Sequence, residues 1–290
     1  MRKLPVVATV VVVIAIITAA CTPGGPAPRN WKVSPLSIKV EAQEEHDDGG
    51  DEPYVVQLGF RSKLGVPHST DAFTKSQCWA SSLTPKDTGS AGTTVMIPPG
   101  AADIPFPNAQ NLNIGDVLLK TAPLEIFGTI SFAMERDGVF SSCHVTDALN
   151  SALVGVLKDS LELLIANSAV PPTQEQLISM IVSHIDDFIR AGLHILVAQL
   201  EGLGDADDIV GIVVQIHLPT AGAFTSLLNV GLKLAGLASD AIDGQGNITI
   251  DGLASKVKIK VGNLLPSVST FDIDTPGGPH YILTTAVQPG

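Results

Sequence analysis

The densest group of side chains that could do chemistry in this chain is an acidic segment, residues 41–52. Seven of its twelve residues are Asp or Glu, and two adjacent glycines interrupt the charges. Calcium takes about six to eight oxygen ligands from carboxylates and carbonyls, and a flexible loop that contains glycine can supply several of them. The segment therefore predicts a divalent cation site. The alternative is a solvated acidic hairpin tip that keeps a sheet edge soluble.

The stretch from Asp47 to Val56 resembles the first calcium loop of C2 domains. In that family an acidic residue and a glycine lead into Ser-Asp-Pro-Tyr-Val and then a strand, and here Glu52 stands in the place of that Asp. C2 domains also use an Asp-x-Asp in a later loop, which Asp272-Ile273-Asp274 could match. The resemblance is local, because C2 domains lack a helical block such as residues 144–240. It implies calcium ligands at five carboxylates: Asp48, Asp51, Glu52, Asp272 and Asp274.

The first twenty-one residues predict export. Arg2 and Lys3 are followed by an uncharged stretch from Leu4 to Ala20, with small residues just before Cys21. A basic start, an apolar core and small residues at the cut describe a signal peptide over residues 1–20. The Pro- and Gly-rich residues 21–30 then predict a semi-rigid tether or linker.

The run Thr18-Ala19-Ala20-Cys21 resembles the lipobox of bacterial lipoproteins, with Thr18 where that pattern prefers Leu. The resemblance implies that the Cys21 thiol carries lipid, such as palmitate, and anchors the protein outside the cytoplasm to the membrane of a bacterial cell envelope. One alternative is an ordinary cleaved signal, which would leave a secreted protein. Another is an uncleaved anchor helix, because the apolar stretch is at the short limit of the roughly 17–25 residues that span a bilayer.

The other two cysteines, Cys78 and Cys143, predict a disulfide bond. They form an even pair once Cys21 is lipidated, and an exported protein sits in an oxidising compartment. Such a bond would close a loop of about 65 residues and would stabilise the fold by about 4 kcal/mol on the chain-entropy model. The alternative is two buried free thiols.

Charge and composition exclude one class of partner. The chain has 29 acidic and 17 basic residues, a net charge of −12, so it lacks the Lys and Arg that nucleic acid phosphates require. Only 16% of residues are charged and the mean hydropathy is +0.32, so much of the chain should be buried. We expect two kinds of partner. One is the membrane, which the lipid anchor would bind, and the other is an unknown protein or small-molecule ligand.

Known catalytic patterns are absent, and we predict no catalytic residue and no organic cofactor. The sequence has no Gly-x-Ser-x-Gly, no His-Glu-x-x-His and no phosphate-binding glycine loop. His184 and His194 are ten residues apart on one predicted helix, so they point about 80° apart and would not share a metal. Cys143 and His144 are chain neighbours, and adjacent side chains seldom face each other. A hydrolase built from scattered residues stays open as an alternative.

The elements run from strands to helices and back to strands. Residues 31–62 predict a β-hairpin around the acidic loop, residues 117–120 and 125–134 further strands, and four strands follow residue 246. Between them, Thr146 begins a predicted helix, and Thr173 with Gln176 forms a capping-box pattern for the next. The expected architecture is one α+β domain over residues 31–290. In it, an antiparallel β-sandwich-like sheet from both chain ends holds an inserted helical layer at about 144–240.

The long apolar stretch at residues 209–239 has two interpretations. A buried helical pair agrees with its proline and glycines, whereas a membrane-inserting hairpin would make the protein a pore-forming effector. Our leading hypothesis is a non-enzymatic binding or structural lipoprotein that could bind calcium. An enclosed apolar pocket between sheet and helices would favour carriage of a lipid or small molecule, and a cleft with convergent titratable groups would favour an enzyme.

Overall fold

We describe the fold from a computed structural model of the chain. It describes residues 29–43, 50–51, 53–75, 90–110, 112–135, 143–188, 190, 193–194, 208–218, 223–237, 245–248, 257–274 and 278–290. The strands are β1 (Arg29–Ala42), β2 (Pro53–Lys63), β3 (Asp71–Lys75), β4 (Thr94–Met96), β5 (Ile104–Ala109), β6 (Glu125–Glu135), β7 (Asp208–Leu218), β8 (Gln245–Ile248), β9 (Val257–Asn263), β10 (Ser267–Asp274) and β11 (His280–Pro289). The helices are α1 (Ile114–Leu118), α2 (Cys143–Leu161), α3 (Gln174–Asp187) and α4 (Ala223–Leu234).

A five-stranded sheet joins the two ends of the described chain. Its order is β10-β11-β1-β4, and β5 also pairs with β1. Strands β1 and β11 run antiparallel over their whole length, from Trp31 opposite Pro289 to Ala42 opposite His280. This confirms the prediction that strands from both chain ends share a sheet in an α+β, sandwich-like fold.

A six-stranded sheet lies at the centre of the molecule, in the order β3-β2-β6-β7-β9-β8. Its pairs are antiparallel except β7 and β9, which run parallel with Ile212 opposite Val257. All eleven positions of β6 are buried. A strand is buried at every position only when both faces of its sheet are covered, so this sheet is the middle of three layers.

The prediction of apolar helices over residues 209–239 was wrong for its first half. Residues 208–218 form β7, and among the other described residues of this stretch the helix covers Ala223–Leu234. The reason is that β7 is covered on both faces, which gives a continuous apolar run without the alternation that marks a half-buried strand. The inserted layer at 144–240 therefore contributes a strand to the central sheet as well as helices.

Two other expectations were also wrong. Residues 31–62 do not form a hairpin, since β1 and β2 belong to different sheets and the acidic segment connects them. Residues 117–120 are not a strand, because α1 covers Ile114–Leu118. The Asn113 side chain accepts a hydrogen bond from the Gly115 amide at 2.9 Å, which caps this helix.

The helices cover one face of the six-stranded sheet. Helix α2 continues into a π-helical turn, Glu162–Ala166. Helix α3 begins as predicted, with the Thr173 hydroxyl accepting a hydrogen bond from the Gln176 amide at 3.3 Å. Within the described residues, none of the helices has the length and apolar character needed to cross a membrane.

The central sheet separates two interiors. The sandwich interior lies between the two sheets and includes Val33, Ile38, Phe106, Phe127, Phe271, Ile273, Tyr281 and Leu283. The helix–sheet interior lies between the six-stranded sheet and the helices and includes Leu58, Phe60, Ile130, Leu157, Leu161, Ile181, Ile185 and Ile212. Successive residues of β2, β6 and β7 alternate between the two interiors, because side chains alternate across a strand.

Polar side chains cross the middle of the sandwich interior. Gln215 donates a hydrogen bond from Nε2 to Oγ1 of Thr285 at 2.9 Å, which links the two sheets. The hydroxyl of Thr129 lies 3.5 Å from Oε1 of the same glutamine. His217 lies on the same face of β7 as Gln215, and both of its ring nitrogens are buried without a hydrogen-bond partner among the described residues. Burial, followed by the positive charge of Lys260, lowers the pKa of His217 to about 4.

Candidate functional site

The helix–sheet interior contains an apolar cleft that opens to solvent on one side. We define the apolar cleft by the side chains that line it: Phe60, Leu64, Ile126, Leu161, Leu164, Ile165, Ile181, His184, Ile185, Phe188 and Ile216. Only His184 in this set carries a hydrogen-bonding side chain. Apolar walls with one polar group that fixes orientation are the common composition of small-molecule sites.

One wall of the cleft is the π turn that follows α2. The wider turn adds a residue per hydrogen-bonded ring, and it carries the lining residues Leu164 and Ile165. Its backbone is joined to the loop after β2, because the Gly65 amide donates to the Ile165 carbonyl at 3.2 Å. π-Helical turns are found frequently at functional sites. The irregular turn therefore places two apolar side chains over the sheet from a fixed attachment point.

The Glu162 carboxylate strengthens this attachment. It accepts hydrogen bonds from the backbone amides of His68 and Thr70, the second at 3.4 Å. The bond from the His68 amide is the main cause that lowers the pKa of Glu162. A carboxylate that accepts amide hydrogen bonds favours its charged form, so Glu162 holds the turn as an anion at neutral pH.

The opposite wall is α3. Ile181, Ile185 and Phe188 recur at spacings of four and three residues, so they lie along one face of the helix. Phe188 packs against Phe60 of the central sheet, with ring centroids 6.3 Å apart and planes tilted by 53°. The sheet, α2 and α3 thus enclose the cleft on three sides.

The cleft is narrow in the conformation described. The space between its side chains amounts to about 480 Å³ when the open mouth is included, but the centre of a water molecule can move through only about 30 Å³ of it. This is above the roughly 10–15 Å³ that one water molecule needs, so the space admits water but no larger molecule. A larger occupant therefore requires side chains or helices of the walls to move outward.

A hydrogen-bond chain fixes the protonation of His184. The Ser168 hydroxyl donates to the Leu164 carbonyl at 2.8 Å, and Nε2 of His184 lies 3.0 Å from the same hydroxyl oxygen. A hydroxyl has one hydrogen to give, so Nε2 of His184 must donate to Ser168. Nδ1 then carries the lone pair of a neutral imidazole. It is buried and has no hydrogen-bond partner among the described residues.

The electrostatic surroundings keep this imidazole neutral. Burial lowers the pKa of His184, and the nearby charge of Asp187 opposes that effect only in part. At neutral pH the side chain therefore presents one satisfied donor and one unsatisfied acceptor. An unsatisfied buried acceptor is unfavourable, and a bound group that donates a hydrogen bond would satisfy it.

The Ser168–His184 pair does not have the arrangement of a nucleophile and its base. A base must accept the hydroxyl proton and be oriented by a third group on its other nitrogen. Here the serine donates to a carbonyl, and Nδ1 of His184 has no orienting partner in the described part of the chain.

The predicted calcium ligands are separated where they can be placed. Asp51 is fully buried, and its carboxylate accepts a hydrogen bond from the Tyr281 hydroxyl at 2.8 Å in the sandwich interior. Asp272 and Asp274 alternate with the buried Ile273, so they point to the outer face of β10. Among the described residues, no three His, Cys, Asp or Glu side chains are grouped as metal ligands.

The other predicted calcium ligands, Asp48 and Glu52, lie outside the described residues. Asp272 has a hydrogen-bonded partner, His280, across the β10–β11 pair. Calcium binding by the acidic segment therefore stays a prediction. For Asp51 to bind calcium, its buried contact with Tyr281 would have to change.

The cysteine predictions also fall outside what the structure describes. The signal peptide, the tether, Cys21 and Cys78 lie outside the described residues, and for Cys143 only the backbone, at the start of α2, is described. Lipidation and the disulfide therefore stay predictions.

No protein-family model, curated protein or solved structure matches the chain. The function must therefore be argued from the geometry of this chain alone.

Sequence reasoning considered His184 only as half of a metal pair and missed its role in the cleft. Its position beside Ile181 and Ile185, on the border of the apolar stripe of α3, was a signal that it would be half-buried. The partner Ser168 could not be found in the same way. It lies sixteen residues earlier, beyond a break at Pro171 and Pro172, and only the packing of α3 against the π turn brings the two together.

Proposed function

We propose that this protein is an exported bacterial lipoprotein that binds a small, mainly apolar molecule in the apolar cleft, without catalysis. The observation that carries the proposal is the lining of the cleft, in which ten of eleven side chains are hydrocarbon. Removing apolar surface from water contributes about 25 cal/mol per Å², so such a lining favours an apolar occupant over a polar one. The signal-like start and the lipobox-like Cys21 support a location outside the cytoplasm.

The construction of the walls supports binding rather than a purely structural cavity. A structural interior usually packs to crystal-like density, whereas this cleft opens to solvent and retains empty space. Its walls are two helical segments that differ in how they are held. The π turn is attached by Glu162 and Ile165, while α3 contributes mainly apolar contacts. Apolar contacts are non-directional, so α3 can shift slightly, although His184 ties it to Ser168 by one hydrogen bond.

The chemistry available in the cleft supports a non-enzymatic role. His184 is the one titratable side chain in its lining, and it is neutral at neutral pH. Acid–base chemistry requires a group poised to take and return a proton close to the reacting atoms, usually with a second group to orient it. A single neutral imidazole with a buried lone pair is better suited to recognition.

A fluorescence titration tests the proposal. N-phenyl-1-naphthylamine, excited directly, is added to the full chain, and its emission should rise and saturate at one molecule per chain. Leu164→Trp would fill the cleft and should abolish the saturable signal. Leu163→Trp is the matched control, because Leu163 is on the same π turn but is 71% exposed and points away. Equal titrations for both variants, or no saturable signal from the wild-type chain, would contradict the proposal.

The proposed location has its own test. Mass spectrometry of the mature protein from bacterial membranes should show an N-terminal Cys21 that carries acyl chains. An unmodified mature terminus would remove the membrane tether and leave an exported, soluble protein. That result would leave the binding proposal standing, since the cleft lies far along the chain from Cys21.

A further inference from the structure

The hydrogen-bonding state of His184 restricts what the cleft can bind. Its Nε2 is already used as a donor to Ser168, which in turn donates to the Leu164 carbonyl. Its Nδ1 is the one buried side-chain polar atom of the cleft lining that has no partner in the described residues. A fully apolar occupant would leave this acceptor unsatisfied and dry, which is unfavourable.

We infer that the cleft selects an amphiphile with an aliphatic or aromatic body and one uncharged hydrogen-bond donor, such as a hydroxyl, which donates to Nδ1 of His184. This inference rests on the proposed function and specifies its ligand class. A carboxylate has no hydrogen to donate at neutral pH, a phosphate is charged, and the neutral imidazole offers neither of them a compensating charge. The lining therefore favours alcohols over fatty acid anions and over hydrocarbons that lack a donor.

In the free protein the walls of the cleft keep water away from Nδ1 of His184, which is buried and has no partner among the described residues. An occupant has to move these walls outward to enter, and that movement opens a path to Nδ1. A hydroxyl group on the occupant then satisfies the acceptor, whereas an occupant without a donor leaves it unsatisfied. Selectivity for a donor follows from this difference.

The test uses a pair of isomers, 1-hexanol and 1-methoxypentane, which have the same atoms but differ in one hydrogen-bond donor. Dissociation constants for the full chain are obtained by competition with N-phenyl-1-naphthylamine. The ratio of alcohol affinity to ether affinity should be about two- to tenfold higher in the wild-type chain than in His184→Phe. Ser183→Phe, on an exposed position of the same helix, is the matched control and should keep the wild-type ratio.

The outcomes separate the inference from the proposed function. If neither isomer displaces the dye because the dye itself does not bind, the proposed function fails and the inference fails with it. If both isomers bind and their ratio is the same in wild type and His184→Phe, the inference is overturned while the proposed function stands.

A second measurement needs no variant and protects the test against misfolding of His184→Phe. In the ¹⁵N-labelled wild-type chain, the Nδ1 resonance of His184 should move toward the hydrogen-bonded range when 1-hexanol is added. It should not move in that direction with 1-methoxypentane, which cannot donate. The same response to both isomers would overturn the inference.

Discussion

The two interiors on either side of the six-stranded sheet differ in the contacts that hold their layers together. In the sandwich interior, a hydrogen bond from Gln215 to Thr285 links the two sheets, while both ring nitrogens of His217 are buried without a partner in the described chain. In the helix–sheet interior, the apolar cleft is lined by hydrocarbon side chains except for His184, whose Nδ1 has no partner in the described chain. Directional hydrogen bonds fix the relative position of two layers, whereas apolar contacts tolerate small shifts. The helical side can therefore adapt more easily, and it is the side on which we propose that a ligand binds.

The largest difference should appear when one leucine is truncated on each side. Leu283→Ala in the sandwich interior and Leu161→Ala in the cleft lining both remove fully buried methyl groups, and each should lower the free energy of unfolding by about 2–5 kcal/mol. Only Leu161→Ala enlarges a space that a ligand can enter. Saturating 1-hexanol should therefore raise the thermal midpoint of Leu161→Ala by more than it raises that of the wild-type chain. The rise for Leu283→Ala should be no larger than the rise for the wild-type chain. If 1-hexanol raised the thermal midpoints of both variants by the same amount, the proposed difference between the two interiors would be wrong.

The second effect comes from His217 in the sandwich interior. Its pKa of about 4 in the folded protein lies below the ordinary value of 6.5, so the unfolded chain binds the proton first as the pH falls. The contribution of His217 to the free energy of unfolding is therefore complete above about pH 6.5. It falls by about 3 kcal/mol as the pH decreases to about 4. Urea unfolding at several pH values should show this fall in the wild-type chain and a shallower one in His217→Gln. The smaller contribution of His184, whose pKa is also lowered, remains in the variant. Parallel pH profiles would show that His217 is not buried as described.

A third and smaller effect separates two glycines on neighbouring strands. An added Cβ at Gly59 would lie 2.4 Å from Ile104 in the sandwich interior, and one at Gly128 would lie 2.1 Å from the Phe60 ring, which lines the cleft. Both Gly→Ala changes should cost about 1–3 kcal/mol in urea unfolding because the added atom must displace packed neighbours. Gly128→Ala should also weaken dye binding by moving Phe60, while Gly59→Ala should not. Undisturbed binding in Gly128→Ala would mean that Phe60 does not shape the cleft.

The smallest expected effect tests the polar contact between the sheets. Thr285→Val replaces the hydroxyl that accepts from Gln215 with a methyl group of similar size. The buried NH₂ group of Gln215 loses this acceptor, and the free energy of unfolding should fall by about 1–2 kcal/mol. Dye affinity should stay at the wild-type value, because the change lies in the sandwich interior. A change in affinity without a change in stability would show that the two interiors are coupled.

Much of the fold was predictable from local patterns. Four strands were predicted from alternating or β-branched residues in the last part of the chain, where β8, β9, β10 and β11 lie, and Thr173 caps α3 as its sequence indicates. These signals are local because period and capping depend on neighbouring residues. The predictions that failed concern which strands pair with each other. Alternation in β1 and β2 shows that each is a strand but not that they pair in different sheets.

The cleft was only partly predictable for the same reason. The apolar stripe of α3 predicted a buried face, and the run from Ile209 showed that its segment is buried, but not that it is a strand. The contact between Ser168 and His184 depends on the π turn and on how α3 packs, which no local pattern specifies. Its chemistry therefore emerged only from the assembled structure.

The measurement that tests the central claim most directly is a set of intermolecular NOEs between 1-hexanol and the methyl-labelled full chain. The account predicts NOEs to methyl groups of Leu161, Leu164, Ile181 and Ile185, which line the cleft. It predicts none to Leu283 in the sandwich interior. NOEs confined to exposed side chains such as Leu234 and Leu265, or to the sandwich interior, would contradict the claim that the helix–sheet interior is the binding side of this protein.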